Sequence, residues 1–364
     1  MRGCRGRLMC LPGRAIYATS DSGKMEVVMP GPKKRGMQTV VFDNPLILTS
    51  WASVVGPKEG EGPWGNDFDL IMPDYLLGEE TWEKAENEML KQTVELALNK
   101  SGLQTNEAEL LLAGDLLNQL VASSFAAAEL TIPFLGLYGA CSTMVQALLT
   151  GAMMIDGGFF ERVVAAACSH HYSAERQFRF PTEQGVQKPP SSQWTATAAG
   201  AAILQSSGTG PRITSATIGR VVDMGQSDAN DMGSAMAPAA VNTIKMHLQD
   251  LNLLPDYYDL VVTGDLGKVG LAILGQLFGK EGVVPPPTHS DCGVLLFDEK
   301  QEIGAGGSGC GCCACMLCGP LLKKMTKAEI RKLLLVGTGA LMSPTTSFQG
   351  STIPAIAHAV AIEY

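Results

Sequence analysis

The chain has 364 residues, of which 46% are hydrophobic and only 17% charged. That balance excludes a disordered protein, and the length fits two domains or one large layered α/β unit. A formal net charge of −9 argues against nucleic acid as a partner.

Residues 1–36 differ from the rest: they hold eight basic residues and two acidic ones and show no periodic apolar pattern. Leu8-Met9-Cys10-Leu11 is too short for a signal-peptide core. This leader reads as a disordered extension or a basic membrane-surface arm, with the fold starting at Met37. Glu79–Lys100 follows as a long amphipathic helix, with Trp82, Ala85, Met89, Val94 and Ala97 on one face. Glu109–Leu116 reads as a buried strand. From Leu130 to Ile155 no residue is charged, but Pro133 and the interspersed Gly and hydroxyl residues fit a buried strand, a turn and a helix (Val145–Ile155) better than a membrane span. Any membrane association is therefore expected to be peripheral. Arg162–Ser169, Thr197–Gln205 and Val294–Asp298 read as further buried strands, and Met316–Met325 as a helix.

The order repeats. Asp259-Leu-Val-Val-Thr-Gly-Asp-Leu266 matches Glu109-Leu-Leu-Leu-Ala-Gly-Asp-Leu116, and Lys332–Gly339 matches Arg162–Ser169. Gly306 and Gly309 correspond to Gly136 and Gly139. Two similar halves, residues 37–205 and 206–364, predict a duplicated five-layer α/β/α/β/α sandwich.

Several residues could carry chemistry. Cys141 lies in Gly139-Ala-Cys-Ser-Thr143, just before a helix, where free N–H groups favour a thiolate or another anion. It reads as a nucleophile, an anion-pocket wall or a small core residue. A nucleophilic Cys usually needs a base, and His170 and His171 follow a strand at its carboxyl end, where α/β sites form. Asp115 and Asp265 end equivalent strands, with Asn118 close behind; they either line a pocket or cap turns. Lys188, in Gln187-Lys-Pro-Pro190, could balance an anionic ligand. Cys310, Cys312, Cys313, Cys315 and Cys318 have metal-like spacings, but their place at the start of a buried helix favours packing. Ten cysteines without a secretory signal indicate a reducing compartment.

The duplicated layout, Gly-Ala-Cys-Ser before a helix, and Trp194-Thr-Ala-Thr-Ala-Ala-Gly-Ala-Ala-Ile203 resemble the thiolase superfamily, in particular its type III ketoacyl synthases. The resemblance implies a thiolase-like fold and puts Cys141 at the catalytic cysteine position. It does not extend to the partners: Gly264 stands where those enzymes carry His, and the Gly309-Cys-Gly311 turn lacks their Asn. An acyltransferase using Cys141 is thus the secondary expectation. A denser set is similar to the stage V sporulation protein AD family of spore-forming bacteria: Trp82–Glu86, Ala113–Gln119, Gly136–Thr143, Gln177–Glu183, His289–Gly293, Gly306–Gly311 and Gly339–Pro344. This resemblance implies a non-catalytic protein that binds dipicolinic acid and its calcium chelate and supports uptake into the developing spore. It also implies a peripheral place at the forespore inner membrane, beside membrane proteins of the same operon. It implies no cofactor or resident metal, calcium entering only with the ligand. Asp115, Asn118, Cys141, His170, Lys188 and Asp265 are the expected ligand-binding residues. A homodimer through Arg162–Ser169 is expected from the superfamily.

Overall fold

The computed structural model describes residues 16–19, 25–28, 32–179 and 188–364. Ten strands lie on one hydrogen-bonded path. The first five are β1 (Thr39–Val55), β2 (Leu110–Gly114), β3 (Phe134–Gly136), β4 (Arg162–Ser169) and β5 (Ala198–Gln205). The second five are β6 (Arg212–Thr217), β7 (Leu260–Thr263), β8 (His289–Asp291), β9 (Lys332–Ala340) and β10 (Ala355–Glu363). The first set is ordered β3-β2-β4-β5-β1 and the second β8-β7-β9-β10-β6, so each half uses the same arrangement. The long β1 joins them, pairing β5 through its later residues and β6 through its earlier ones.

The inner strands are buried on both faces, and alternate side chains enter different cores. In β5, Ala198, Ala202 and Leu204 face the central core, while Ala199, Ala201 and Ile203 face an outer one. In β9, Leu333 and Leu335 point to the centre, and Leu334 and Val336 to the other outer layer. Helices α1 (Trp82–Ser101) and α2 (Val121–Leu130) cover the first outer face. α3 (Thr143–Asp156) lies in the central layer, and α4 (His171–Phe178) follows β4. α5 (Met232–Asp250) and α6 (Gly267–Lys280) cover the second outer face. α7 (Cys292–Leu296) and α8 (Cys310–Met316) complete the central layer. The result is the five-layer thiolase-like sandwich. α1 starts where Thr81 Oγ1 accepts Lys84 N–H and stops at Gly102, whose φ of 76° suits a left-handed cap. The sheet meets α8 closely because Gly200 has no side chain: a Cβ there would lie 2.4 Å from Ala314 O.

Three local expectations are corrected. Val294–Asp298 does not form a strand; α7 occupies Cys292–Leu296 because Asp291 Oδ1 accepts Val294 N–H and caps a helix start. The cysteine-rich helix begins at Cys310, six residues before Met316, and widens into a π-helical turn over Leu317–Leu321. Pro320 lies in that turn and has no N–H for the regular helical bond. The fold also begins before Met37. Lys34–Arg35 pairs with β1, and Lys33 Nζ lies 2.7 Å from the buried Asp156 carboxylate. Within the expected disordered leader, Ile16–Thr19 and Met25–Val28 pair as an antiparallel ribbon. No helix among the described residues is long and apolar enough to cross a membrane.

Candidate functional site

Cys141 sits at the entry to α3 after Ala140, which adopts a left-handed φ of 50°. Ser142 Oγ and Ser142 N–H both donate to Gly139 O, holding this tight turn. The thiol is buried, with the Asp265 carboxylate near enough for its charge to act on it. Asp265 is itself fully buried at the end of β7. Its Oδ1 accepts Thr338 Oγ1–H at 2.7 Å and its Oδ2 accepts Gly309 N–H at 3.1 Å. No cation is among these partners. Burial, foremost, lifts the Asp265 carboxyl from 3.8 to about 7. Burial, then the neighbouring Asp265 charge, pushes the Cys141 thiol well above its ordinary range. The helix N-terminus therefore does not produce the thiolate that the sequence position suggests: a carboxylate raises a thiol's pKa, the opposite of activation.

The places of the missing catalytic partners are filled by backbone and sulfur. A Cβ on Gly264 would lie 3.2 Å from Thr338 N and 3.5 Å from Cys313 Cβ, and one on Gly309 only 2.6 Å from Ser169 Oγ. Cys310 Sγ donates to Cys168 O at 2.8 Å. Cys310, Cys312, Cys313, Cys315 and Cys318 are all buried in the central core. Among the described residues no group of three His, Cys, Asp or Glu is placed to hold a metal. They sit along α8 and the π-helical turn that follows it, packed among the central-core side chains.

Of the six expected ligand residues, Cys141 and Asp265 lie close enough for each to shift the other's titration. Asp115 folds back on its own loop: Oδ1 accepts Leu117 N–H at 2.8 Å, and Oδ2 accepts the N–H and Oγ–H of Ser123. His170 caps α4 with Nδ1 toward Tyr172 N–H and places Nε2 2.8 Å from Tyr75 O, so both ring nitrogens are engaged. Asn118 is exposed, its backbone N–H donating to Gln177 Oε1. Near Asp115 lies Glu86, buried on α1 and overlooked in sequence because α1 looks polar there. It accepts Ser173 Oγ–H at 2.6 Å, and burial followed by the Asp115 charge lifts its pKa well above the carboxylate range.

Lys188 lies elsewhere, on the wall of a cleft of about 730 Å³ lined also by Trp82, Tyr172, Glu175, Gln193 and Trp194. Trp194 is its best-fixed element. His171 stacks on the indole with ring centroids 3.5 Å apart and planes 7° from parallel, and Lys58 Nζ stands 4.4 Å from the ring centre. The indole N–H donates to Glu59, a buried carboxyl that burial lifts from 4.5 to about 7. Burial, then Lys188, lowers His171 from 6.5 to about 3, so its ring stays neutral. Gln193 ties this cleft to the backbone at Asp265: its amide donates to Asp265 O at 2.7 Å and Gly307 O at 3.0 Å. Trp194 was visible in sequence only within a strand-entry motif; nothing local marks Gln193 or Glu59.

Comparison with known proteins separates fold from lineage. The chain shares its fold with 3-oxoacyl-[acyl-carrier-protein] synthase III from Aquifex aeolicus, at TM-score 0.55 and 14% identity over 88% of this chain and all of that one. Cerulenin-bound OleA from Xanthomonas campestris gives TM-score 0.55 and 12% identity over 89% of this chain and 98% of that one. Human mitochondrial 3-ketoacyl-CoA thiolase gives 0.53 and 12% over 88% and 98%. Such distant identities carry the architecture alone. The family profile of Stage V sporulation protein AD matches residues 36–363. Stage V sporulation protein AD of Bacillus subtilis (strain 168) is 44% identical over 331 residues, covering 91% of this chain and 98% of that protein. A match of that density over nearly the whole length means that the chain belongs to the Stage V sporulation protein AD family.

Proposed function

We propose that this protein serves sporulation as a non-catalytic binding protein for dipicolinic acid, pyridine-2,6-dicarboxylate, and its calcium chelate. In this reading it supports uptake of that compound into the developing spore. It acts peripherally at the forespore inner membrane, beside membrane proteins of the same operon. It carries no cofactor or metal of its own, and calcium enters with the ligand. Family membership supports the setting.

The observation that carries the non-catalytic part is the close packing at Gly264 and Gly309, where Thr338, Cys313 and Ser169 occupy the space a catalytic His or Asn would need. Acyl transfer through a cysteine needs a thiolate or a base beside the thiol. Here burial, then the Asp265 charge, raises the thiol's pKa well above its ordinary range, and both ring nitrogens of His170 are engaged elsewhere. The acyltransferase reading rests on the fold neighbours alone. The cleft beside Gln193 supports ligand binding: it combines aromatic walls with a cation, a setting suited to an aromatic carboxylate. Of the residues expected to touch the ligand, Lys188 is the one this cleft offers.

Calorimetric titration with dipicolinate, with and without calcium, tests the proposal. A saturable signal in either arm supports it, and flat traces at millimolar ligand in both arms overturn it. Turnover of an acyl group on Cys141 with a malonyl donor overturns the non-catalytic part.

A further inference from the structure

One side chain in the cleft is held in a way that leaves it free to be taken. Lys188 Nζ lies 2.9 Å from Glu175 Oε1, and Arg179 Nε lies 3.6 Å from the same oxygen. Two cations thus share one carboxylate. Lys188 and Glu175 line the cleft, whereas Arg179 does not. The Lys188 side chain is 25% exposed and Glu175 14%. The remaining walls hold Lys188 near aromatic surface, with its ammonium 5.6 Å from the Trp194 ring centre.

The asymmetry matters. A buried carboxylate left without a partner is costly. If Lys188 turned away from Glu175, Arg179 would still neutralise that carboxylate. Lys188 can therefore leave without stranding a charge, which an isolated Lys–Glu pair would not permit. The other charged groups facing the cleft do not replace it. Glu302 is acidic, His171 is neutral, and Lys58 lies over Trp194 without lining the cleft.

Building on the dipicolinate reading, we propose that Lys188 is the specificity-determining residue of this cleft. It exchanges its contact with Glu175 for one carboxylate of an aromatic dianion, while Arg179 retains Glu175. The ammonium is a point charge with three donors on a flexible stem, suited to such a swing. Glu175 then acts as an internal competitor for the same ammonium.

This gives four changes, each with a sign set in advance. Lys188→Gln removes the cation, and dipicolinate affinity falls roughly ten- to hundredfold, as for loss of a charge-assisted hydrogen bond. Lys188→Arg keeps the charge and recovers most of that loss. Glu175→Gln releases Lys188 from its competitor, and affinity rises. Arg179→Gln leaves Glu175 dependent on Lys188, and affinity falls although no cleft-lining group has changed. Titrating dipicolinate into the full-length wild type and each variant, with circular dichroism to check folding, reads all four. The opposite signs of Glu175→Gln and Arg179→Gln distinguish this from general damage to the site. Wild-type binding with an unchanged Lys188→Gln affinity overturns the role of Lys188 alone. So does a weaker or unchanged Glu175→Gln. A wild type that does not bind overturns the parent reading and this one together.

Discussion

Replacing Asp265 with Asn tests whether its carboxylate keeps the Cys141 thiol protonated. The change preserves size and an acceptor for Thr338 Oγ1, but removes the charge. Buried in full, the carboxyl titrates near 7 instead of 3.8. The folded state thus holds this proton more tightly than the unfolded chain. The stability this group contributes is fully present below its unfolded pKa and is lost as pH rises through about 7. Between pH 5 and 8 the linkage amounts to roughly 3 kcal/mol, at ~1.4 kcal/mol per pKa unit. His170, His171, His247 and His358 are lowered by burial and act in the opposite sense as pH falls. The readout is therefore the difference between variant and wild type in urea midpoints, which cancels them. Relative to wild type, Asp265→Asn should gain roughly 3 kcal/mol on going from pH 5 to pH 8. A unit charge at ~4 Å in a protein site interacts by ~4 kcal/mol, so removing it lowers the thiol pKa by up to about three. Alkylation of Cys141 by iodoacetamide at pH 8, located by peptide mapping, should accelerate in the variant. Parallel pH profiles together with equal alkylation rates would refute the pairing of Cys141 with Asp265.

Three further outcomes follow from close contacts. Gly200→Ala places a Cβ 2.4 Å from Ala314 O and should cost ~1–3 kcal/mol or more in a urea titration; an unchanged midpoint would contradict the close approach of β5 to α8. Lys33→Met leaves the Asp156 carboxylate, 2% exposed, without its ammonium, whereas removing residues 1–31 does not. The substitution should cost ~2 kcal/mol, less than a fully buried pair because Lys33 is 34% exposed. The truncation should leave the melting temperature in place, and equal effects of the two would refute this boundary. Gly264→His should lower the melting temperature without creating an acyl-enzyme on Cys141, since Thr338 and Cys313 crowd the new side chain; a turning-over acyl-enzyme, found by mass spectrometry, would show that a base was all the site lacked.

The duplication was legible because it is written in strand ends: Gly114-Asp115 and Gly264-Asp265 close apolar runs that only a buried parallel strand needs. Short apolar runs were not. Val294-Leu-Leu reads equally as strand or helix, and the deciding group, the Asp291 cap, lies outside the run. The site was legible as positions and not as partners. Cys141 stood out, but its closeness to Asp265 comes from seating the start of α3 against Gly337 and Gly339 of β9 in the other half, where Thr338 also holds Asp265. Asp115, Asn118 and His170 have the residue types of a ligand set, yet local bonds use Asp115 and His170, and Asn118 faces solvent. Glu59 carries no local signal, since its burial comes from Trp194 and Thr197 folding over it. The same holds for Lys188, which shares Glu175 with Arg179 from a separate stretch of sequence.

Assembly follows from which strand edge is open. Arg162–Ser169 cannot pair two subunits as expected, because β4 is bonded to β2 on one side and β5 on the other. The open edge of the first half is β3, which among the described residues pairs only β2. Around it stand Leu135 and Tyr138, each 45% exposed, and Phe125, 62% exposed. An open edge flanked by apolar side chains is an aggregation hazard unless covered. We propose that a second copy covers it about a two-fold axis, β3 lying antiparallel to its counterpart so that one sheet runs through both subunits. Leu135→Lys puts a charge on each side of that seam and should give monomer, while the wild type gives dimer. Light scattering at micromolar concentration decides between them. A wild-type mass near 38.5 kDa, the mass of one chain, would mean that the edge stays open, and the apolar cluster at Phe125, Leu135 and Tyr138 would then need another occupant.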